Sequence, residues 1–346
     1  MINKYYIVTL CLAIAVLQMS CISGNNPTDN TAAGNMHSLW TTLDERYCYF
    51  DEKQIDWDSV YNVYSAKVKR IEKDDEHALF DTLSAMVNCL RDGHVNLVSP
   101  FDMSHYTDFY SLYPHNFSST LLYSKYLSNY RTAGSLIYAT IDGDYGYIRC
   151  SSFADSFSQL NLYYVLSYLV REKACKGLIV DVRDNTGGSI ENALQLASVF
   201  FASDTTIGYT QHKTGKRHID LSEPEPIEIS KKDYSGMYVS LPVAVLTNRL
   251  SYSATNLFAC AMKSCDKCTI IGDRTGGGGG IPLSYELPNG WLIRFSSVKM
   301  TDTEHKSIED GIEPDIKIDL ISTDVDDIIE EAKKQIDSFS QQQNKQ

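Results

Sequence analysis

Two serines lie two residues apart where an apolar strand gives way to an apolar helix. Ser251 and Ser253 belong to the stretch "LTNRLSYSATNLFACAMKS", residues 246–264. A second junction of the same form, "LIVDVRDNTGGSIENAL", places Gly187 and Gly188 ahead of another helix. Glycines allow backbone N–H groups to face a ligand, and the start of a helix favours negative charge. A hydroxyl beside such an anion-binding turn is typical of acyl-transfer chemistry.

A purely structural interpretation of these junctions competes with the catalytic one. Serine at a helix start is usually an N-cap, and paired glycines usually form a turn. Catalysis also requires a base that activates the hydroxyl. Among the eight histidines, only His94 combines a junction between elements with a preceding glycine, Gly93, which is expected to cap the preceding helix in a left-handed conformation. These patterns alone do not bring His94 and Ser253 together.

The elements that must position these residues follow from hydrophobic periodicity. Three sets of apolar residues at helical spacing, within 36–47, 57–71 and 79–90, predict a small N-terminal helical domain. After Tyr145, strands alternate with helices, which predicts an α/β fold with a largely parallel, covered sheet. The turns at the carboxyl ends of such strands line the ligand crevice, so both junctions are expected at one edge of the sheet. A polar helix and a Gln-rich tail close the chain.

The first residues predict export. Lys4 precedes the apolar run "YYIVTLCLAIAVL", which is short for a membrane span and typical of a signal peptide over residues 1–20. Ser20 and Cys21 resemble the lipobox of bacterial lipoproteins, although Leu17 stands one place earlier than usual. We therefore expect a lipid on Cys21, a polar tether over 21–35 and an outer-membrane lipoprotein of the bacterial cell envelope that faces the periplasm or the cell surface. The alternative is a simply secreted protein.

Composition argues against several other classes of protein. The net charge of −13 comes from 44 acidic and 31 basic residues spread along the 346-residue chain, without a basic stripe, so no nucleic-acid partner is expected. Cys260, Cys265 and Cys268 lie close together, but no complete set of zinc ligands accompanies them. We interpret them as core thiols with at most one disulfide, because a thioredoxin-like context for the CxxC pair is missing. No metal or cofactor is expected.

Six motifs occur in the order found in one enzyme family. The motifs "LRDGHVNL", "GYIRCSSF", "LIVDVRDNTGG", "LTNRLSYSATNLFACAMKS", "IIGDRTGGGGG" and "EDGIEPDIKI" resemble those of the tail-specific or C-terminal processing proteases, the S41 serine peptidases. The resemblance covers residues 36–320. It implies a helical domain over 36–93, a ClpP/crotonase-like catalytic core over 94–322, and a C-terminal helix and tail over 323–346. It also implies cleavage of peptide bonds by Ser253, with an oxyanion hole formed by the amides of Gly187 or Gly188 and Ala254.

The resemblance also implies which base the enzyme uses. Gly278 stands where the Ser/Lys members carry their lysine, so the chain is similar to the tricorn-type branch that uses a histidine and a carboxylate. His94 matches the histidine, and a pKa near 6.5 would suit neutral pH. Glu309 matches the carboxylate. The orienting group could instead be one of three nearby acids: Asp92, Asp310 or Glu313.

Two further expectations concern substrates and partners. Only 52 residues separate His94 from Tyr147, too few for the PDZ domain of many relatives, so tail specificity is not carried over. The expected partners are a peptide or unfolded protein substrate and, through the lipid, a membrane; the oligomeric state stays open. A nucleotide-binding role for "TGGGGG" fails because no lysine–serine pair follows it. The stronger rival is a peptide-binding lipoprotein that has kept the S41 fold and lost catalysis.

Overall fold

The computed structural model describes residues 29–230 and 238–343 of the chain. The predicted signal peptide, Cys21 and most of the predicted tether lie outside the described residues. Among the described helices, none combines the length and the apolar character that a membrane span requires. The described chain forms two compact units. We call residues 29–106, His212–Ser222 and Ile281–Val298 the helical unit, and the remainder the sheet unit.

The helical unit begins with four helices, three of which start at a side-chain cap. They are α1 (Ala32–Arg46), α2 (Phe50–Lys53), α3 (Trp57–Val68) and α4 (Glu76–Asn88). Thr31, Asp56 and Asp75 accept hydrogen bonds from the amides three residues on and so satisfy helix-terminal N–H groups. The three helices predicted from periodicity are thereby observed. Helix α1 begins at Ala32, so the last residues of the predicted tether form its first turn.

The core of the helical unit joins these helices to short strands. Strand β1 (Asn96–Val98) pairs antiparallel with the start of a long strand whose residues Leu292–Arg294 lie in the same unit. Leu39, Leu43 and Leu83 are fully buried. They pack in one cluster with large aromatic side chains that include Trp57 and Phe295. Aromatic rings of this size contribute much of the apolar area that stabilises such a core.

The sheet unit is built on seven strands, five of them parallel. In chain order these are β2 (Arg131–Ala133), β3 (Leu136–Ile141), β4 (Tyr145–Cys150), β5 (Gly177–Asp181), β8 (Val243–Thr247), β9 (Cys268–Gly272) and β12 (Ile316–Lys317). Their spatial order is β12-β9-β8-β5-β4-β3-β2, and all neighbouring pairs are parallel except β2–β3 and β3–β4. Strands β5 and β8 are adjacent and parallel, so the turns that follow them leave the sheet side by side.

The remaining elements of the sheet unit are helices and strands that lie outside this seven-stranded sheet. The helices are α5 (Asp108–Ser111), α6 (Ser119–Leu121), α7 (Gln159–Leu166), α8 (Ile190–Ser198), α9 (Ala254–Lys263) and α10 (Asp327–Gln343), with π-helical turns at Leu122–Tyr126 and Ser167–Glu172. Strands β6 (Thr205–His212) and β7 (Glu225–Ile229) form an antiparallel pair. The chain passes between the two units within β6, β10 (Gly280–Glu286) and β11 (Leu292–Thr301). Strand β10 pairs with β11.

Helix α10 contributes to the core more than its polar sequence suggested. Ile328, Ile329 and Ile336 are buried against one face of the sheet, in a cluster with strand residues such as Ile179 and Leu246. Only one stripe of the helix is apolar, which is how a helix with a polar average composition covers a sheet. The predicted C-terminal helix is therefore part of the core of the sheet unit.

One local expectation from the sequence is corrected, whereas the interpretation of the cysteines as thiols agrees with the structure. The left-handed residue after α4 is Arg91, with φ of 50°, whereas Gly93 has no positive φ. Reciprocal side-chain to carbonyl hydrogen bonds between Arg91 and Lys53 hold this turn. All seven cysteines of the described residues are free thiols, so the single disulfide allowed for in the sequence is not formed among them.

Candidate active site

Ser253 stands on a strained backbone at the start of helix α9. Its φ of 58° and ψ of −121° lie outside the conformations that residues with a side chain normally adopt, at a cost of about 1–3 kcal/mol. Its side chain does not cap the helix. Between Ser251 and Met262, only Ser253 has a side chain that is not buried. The N-cap interpretation therefore fails for this serine, and a strained strand–turn–helix junction presents its hydroxyl.

Ser251 has a different role. Its buried hydroxyl donates to the Val182 carbonyl at 2.9 Å and accepts from the Asn248 amide at 3.1 Å. These bonds connect the ends of β5 and β8. A buried hydroxyl that both donates and accepts a hydrogen bond stabilises the turn. Ser251 is therefore a structural residue, whereas Ser253 is the serine whose hydroxyl is presented at the helix start.

The double glycine after β5 lies against this junction. A β-carbon on Gly187, whose φ is 100°, would stand 2.7 Å from the Tyr252 carbonyl oxygen and 2.8 Å from the Ser253 Cβ. Gly188 has φ of 132° and approaches the backbone of Ala154 even more closely. Only glycine fits this close backbone approach without strain. The turn after β5 and the turn carrying Ser253 thus pack directly on each other.

The amides at this junction are not equivalent. The Gly187 amide donates to Asn185 Oδ1 at 2.9 Å, so it is already engaged. The amides of Gly188 and Ala254 donate no hydrogen bond to any residue within 29–230 or 238–343. Backbone donors without an internal acceptor at the start of a helix are suited to binding an anion.

A buried ionic network holds the turn after β5. The fully buried Arg183 contacts Asp181 at 2.6 Å and Asp326, at the start of α10, at 2.9 Å. Asn185 Nδ2 donates to the Cys150 carbonyl at 3.0 Å. Charged groups this deep are tolerated because each is paired and hydrogen-bonded. The turn is therefore a rigid part of the sheet edge.

Asn248 connects the two turns and was not singled out from the sequence. Its side chain accepts from the Asp184 amide at 3.0 Å and donates to the Asp184 carboxylate at 2.7 Å. Tyr252 donates its amide to the Asn185 carbonyl at 3.1 Å. Its position directly after a buried strand was the feature of the sequence that could have indicated this role, but polar residues are common in turns.

The glycine run after β9 is hydrogen-bonded both to the turn that carries Ser253 and to Glu309. The Ser253 amide donates to the Gly277 carbonyl at 2.9 Å, and the Gly278 amide donates to the Glu309 carbonyl at 3.0 Å. A β-carbon on Gly278 would lie 2.4 Å from the Tyr252 ring, which stacks on Phe109 at 4.6 Å between centroids. A lysine at position 278 would require Tyr252 to move.

Glu309 is the buried member of the three acids near the C-terminal motif. It is 5% exposed, whereas Asp310 and Glu313 are exposed. Its backbone is held by Gly278 and, one residue earlier, by Asn256 Nδ2, which donates to the Ile308 carbonyl at 2.7 Å. Asn256 lies in the first turn of α9. Glu309 is thereby fixed in the same strand-end region as Ser253.

His94 lies in the helical unit, in a turn organised by Asp92. The buried Asp92 carboxylate accepts from the His94 amide at 2.7 Å, from Tyr47 Oη at 3.0 Å and from Ser296 Oγ at 2.9 Å. These bonds occupy Asp92 with the backbone and with two hydroxyls. Asp92 therefore positions the turn that carries His94.

Burial lowers the pKa of His94 to about 4, and the Arg294 and Lys53 cations act in the same direction while Asp92 opposes them. The sequence-based expectation of a pKa near 6.5 is therefore wrong, because desolvation disfavours the imidazolium. At neutral pH the imidazole is uncharged and able to accept a proton.

The depressed pKa of His94 predicts a pH-dependent stability. Between its ordinary pKa of 6.5 and about 4, the unfolded chain binds a proton that the folded chain does not. We expect the free energy of unfolding to fall by about 3 kcal/mol as the pH is lowered through this window, at about 1.4 kcal/mol per pH unit. Urea unfolding of the wild type and of His94→Gln at several pH values measures this. An identical pH dependence in the two proteins would contradict the assignment.

The predicted site residues thus divide into two groups. Ser253, Ala254, Gly187, Gly188 and Glu309 come together at the strand ends of the sheet unit. His94 belongs to the helical unit, and its role as the base stays a prediction.

Two family profiles match this chain, and solved structures share its fold. The sequence profile of peptidase family S41 matches residues 144–318, and the profile of the tricorn protease C1 domain matches residues 29–88. A solved structure of a candidate peptidase from Parabacteroides merdae is 39% identical, with 89% of this chain and 97% of that chain covered and a TM-score of 0.83. Mature CPAF complexed with lactacystin, 13% identical with 91% and 99% covered and a TM-score of 0.67, shares the fold.

The curated relatives are longer proteins. The carboxy-terminal processing protease CtpA of Bacillus subtilis is 26% identical over 180 residues, which is 52% of this chain and 36% of that protein. The chain spans about a third of the length of the curated relatives it matches. The predicted fold, a mixed α/β core with a helical N-terminal region, is confirmed by the architecture and by these neighbours. With half of its residues matched by the family profile, the chain belongs to peptidase family S41.

Proposed function

We propose that this protein is an exported serine endopeptidase that hydrolyses peptide bonds with Ser253 as its nucleophile. The observation that carries the proposal is the backbone of Ser253, whose strained φ and ψ present the hydroxyl instead of letting it cap α9. Strain of this size persists only where the surrounding structure enforces it, which is common at active sites. Family membership favours the same reaction class.

The oxyanion of the tetrahedral intermediate is held by the amides of Gly188 and Ala254. Both amides lack an acceptor among the described residues, and a β-carbon on Gly187 would lie 3.0 Å from the Ala254 nitrogen. Gly187 contributes by allowing this approach, since its own amide is engaged by Asn185. One oxyanion donor lowers the barrier by about 3 kcal/mol.

His94 acts as the general base and Glu309 orients its imidazole. His94 takes the proton of the Ser253 hydroxyl as this attacks the scissile carbonyl, and returns it to the leaving amine. The neutral imidazole and the buried position of Glu309 support these roles. A glycine at position 278, where a lysine would displace Tyr252, supports a histidine base over a Ser/Lys dyad.

The proposal places the enzyme in the bacterial cell envelope, anchored through a lipid on Cys21. The apolar segment after Lys4 and the small residue before Cys21 support export and lipidation. Mass spectrometry of the mature N-terminus tests this part separately. A terminus without a lipid would leave a simply secreted peptidase.

Hydrolysis of an unfolded protein tests the proposal directly. We expect the full chain to cleave reduced, unfolded casein and to react with a serine-directed fluorophosphonate. Neither reaction would occur if the protein were a peptide-binding lipoprotein with an inactive S41 fold. That result would reject the enzyme and favour the binding protein.

A further inference from the structure

A basic hairpin interrupts the acidic chain. Five of the seven residues 212–218 are lysine, arginine or histidine, although the chain has a net charge of −13. The cluster is confined to one short segment and does not form an extended basic stripe along the chain. Residues His212–Ser222 lie wholly in the helical unit. Backbone bonds such as Thr214 to Asp220 and Ser222 to His212 hold the segment as a hairpin.

This hairpin lines a cavity of about 350 Å³ within the helical unit. Four basic residues line it, namely Arg46, His212, Lys213 and Lys216, together with one acid, Glu45. Leu283 and Val298 form an apolar part of the cavity wall. The volume is sufficient for a small ligand or for the end of a peptide.

The acids around the cavity are already paired. Asp44 contacts His218 at 2.8 Å, Glu45 contacts Lys216 at 2.7 Å and Asp220 contacts Arg217 at 2.7 Å. Glu45, the acid that lines the cavity, and Asp220, the acid of the hairpin, are thus each paired with a cation. Any further cation at the cavity must therefore find another partner.

Two cations of the cavity have no carboxylate partner among the described residues. Arg46 lies over the ring of Tyr285, at a distance of 5.8 Å, and Lys213 donates to the Arg217 carbonyl. Burial lowers the pKa of Lys213, and Asp220 and Asp44 only partly oppose this effect. A half-buried ammonium and a guanidinium that share a cavity attract an oxoanion, which the planar guanidinium can bind through two hydrogen bonds.

We propose that Arg46 and Lys213 form a binding site for an oxoanion, either the terminal carboxylate of a peptide or a phosphate group. This site is independent of the proposed hydrolysis, because it lies in the helical unit and its occupancy is measured by binding. The apolar wall beside the two cations suits a ligand whose charged group adjoins a small apolar group.

Calorimetric titration of the full chain tests the site with three probes. These are inorganic phosphate, N-acetyl-trialanine with a free carboxylate, and the amide of the same peptide; the peptides are titrated into Ser253→Ala so that they stay intact. We expect binding of phosphate or of the free peptide, and none of the amide at this site. Phosphate binding alone identifies a phosphate site, whereas binding of the free peptide identifies a carboxylate site.

Matched variants locate the binding. We expect Arg46→Gln and Lys213→Gln each to weaken it about tenfold or more, because each removes a charge-assisted hydrogen bond. Lys216→Gln removes the same charge from the same cavity, but one already paired with Glu45, and should change the affinity by less than about threefold. Far-ultraviolet circular dichroism and the melting temperature check the fold. If Arg46→Gln does not fold, the affinity of Lys213→Gln, a variant on the hairpin, tests the proposal.

Three results would overturn the proposal. One is that no probe binds at concentrations up to about 10 mM. Another is that the affinity is unchanged in both variants. The third is that Lys216→Gln weakens binding as much as Lys213→Gln, since that would indicate general surface charge.

Discussion

Replacing Ser253 by alanine is expected to abolish labelling by a fluorophosphonate and to lower kcat for peptide hydrolysis by about a millionfold. Ser253 is the presented hydroxyl at a strained helix start, beside two amides without an acceptor among the described residues. Its loss removes the covalent intermediate, and only the oxyanion donors and substrate binding remain. Mass spectrometry of the labelled chain identifies the modified residue, and a continuous assay with a fluorogenic protein substrate measures kcat.

Ser251→Ala is the matched control, since the same atom is removed two residues away. The variant loses the hydrogen bond to the Val182 carbonyl and leaves the Asn248 amide without its acceptor. We expect the free energy of unfolding to fall by about 1–3 kcal/mol while Ser253 is still labelled. Loss of labelling in folded Ser251→Ala equal to that in Ser253→Ala would mean that the nucleophile is wrongly assigned.

His94→Ala is expected to lower kcat by about ten-thousandfold or more while KM changes little. The base acts on the proton of the nucleophile during the chemical step, so its removal affects the transition state more than substrate binding. The labelling rate should fall in parallel, because the fluorophosphonate reacts with the same activated hydroxyl. Stopped labelling reactions and steady-state kinetics on the folded variant measure both effects.

The pH profile separates a catalytic role of His94 from a structural one. With a pKa of about 4, the imidazole stays neutral down to mildly acidic pH, so the labelling rate should persist below pH 6 and fall only as the pH approaches 4. An unperturbed histidine would lose its proton-accepting form near pH 6.5. The exposed His37, on α1, provides the control variant His37→Ala, which should keep the wild-type rate. A His94→Ala protein that folds and labels at the wild-type rate would exclude His94 as the base.

Local patterns in the sequence were sufficient for the elements of the fold. Periodic apolar residues predicted helices α1, α3 and α4, and short apolar runs predicted strands β5 and β8. These patterns arise because a helix with one buried face needs apolar residues at helical spacing, and a fully buried strand needs a continuous apolar run. The paired strand–turn–helix junctions followed from the same reasoning. Strands β6 and β7 were not predicted, since half-exposed strands have a weaker pattern of apolar residues.

The family resemblance implied Ser253 as the nucleophile, and the tertiary structure supplied the physical difference between Ser253 and Ser251. Both are serines before a helix, and only their backbone angles and partners separate the presented hydroxyl from the buried one. In the same way, a contact from a segment distant in the chain, the Tyr252 ring, occupies the space that a side chain at Gly278 would need.

What the sequence by itself determined is the order of the helices and strands, the position of the two polar turns and the membership of a peptidase family. The tertiary structure decided which hydroxyl is presented, which amides lack an acceptor among the described residues and how far burial lowers the pKa of His94. The physical reason is the distance along the chain over which each property is determined. Periodicity and turn formation depend on neighbours within a few residues, whereas desolvation and backbone strain depend on segments that are far apart along the chain and meet only in the folded protein.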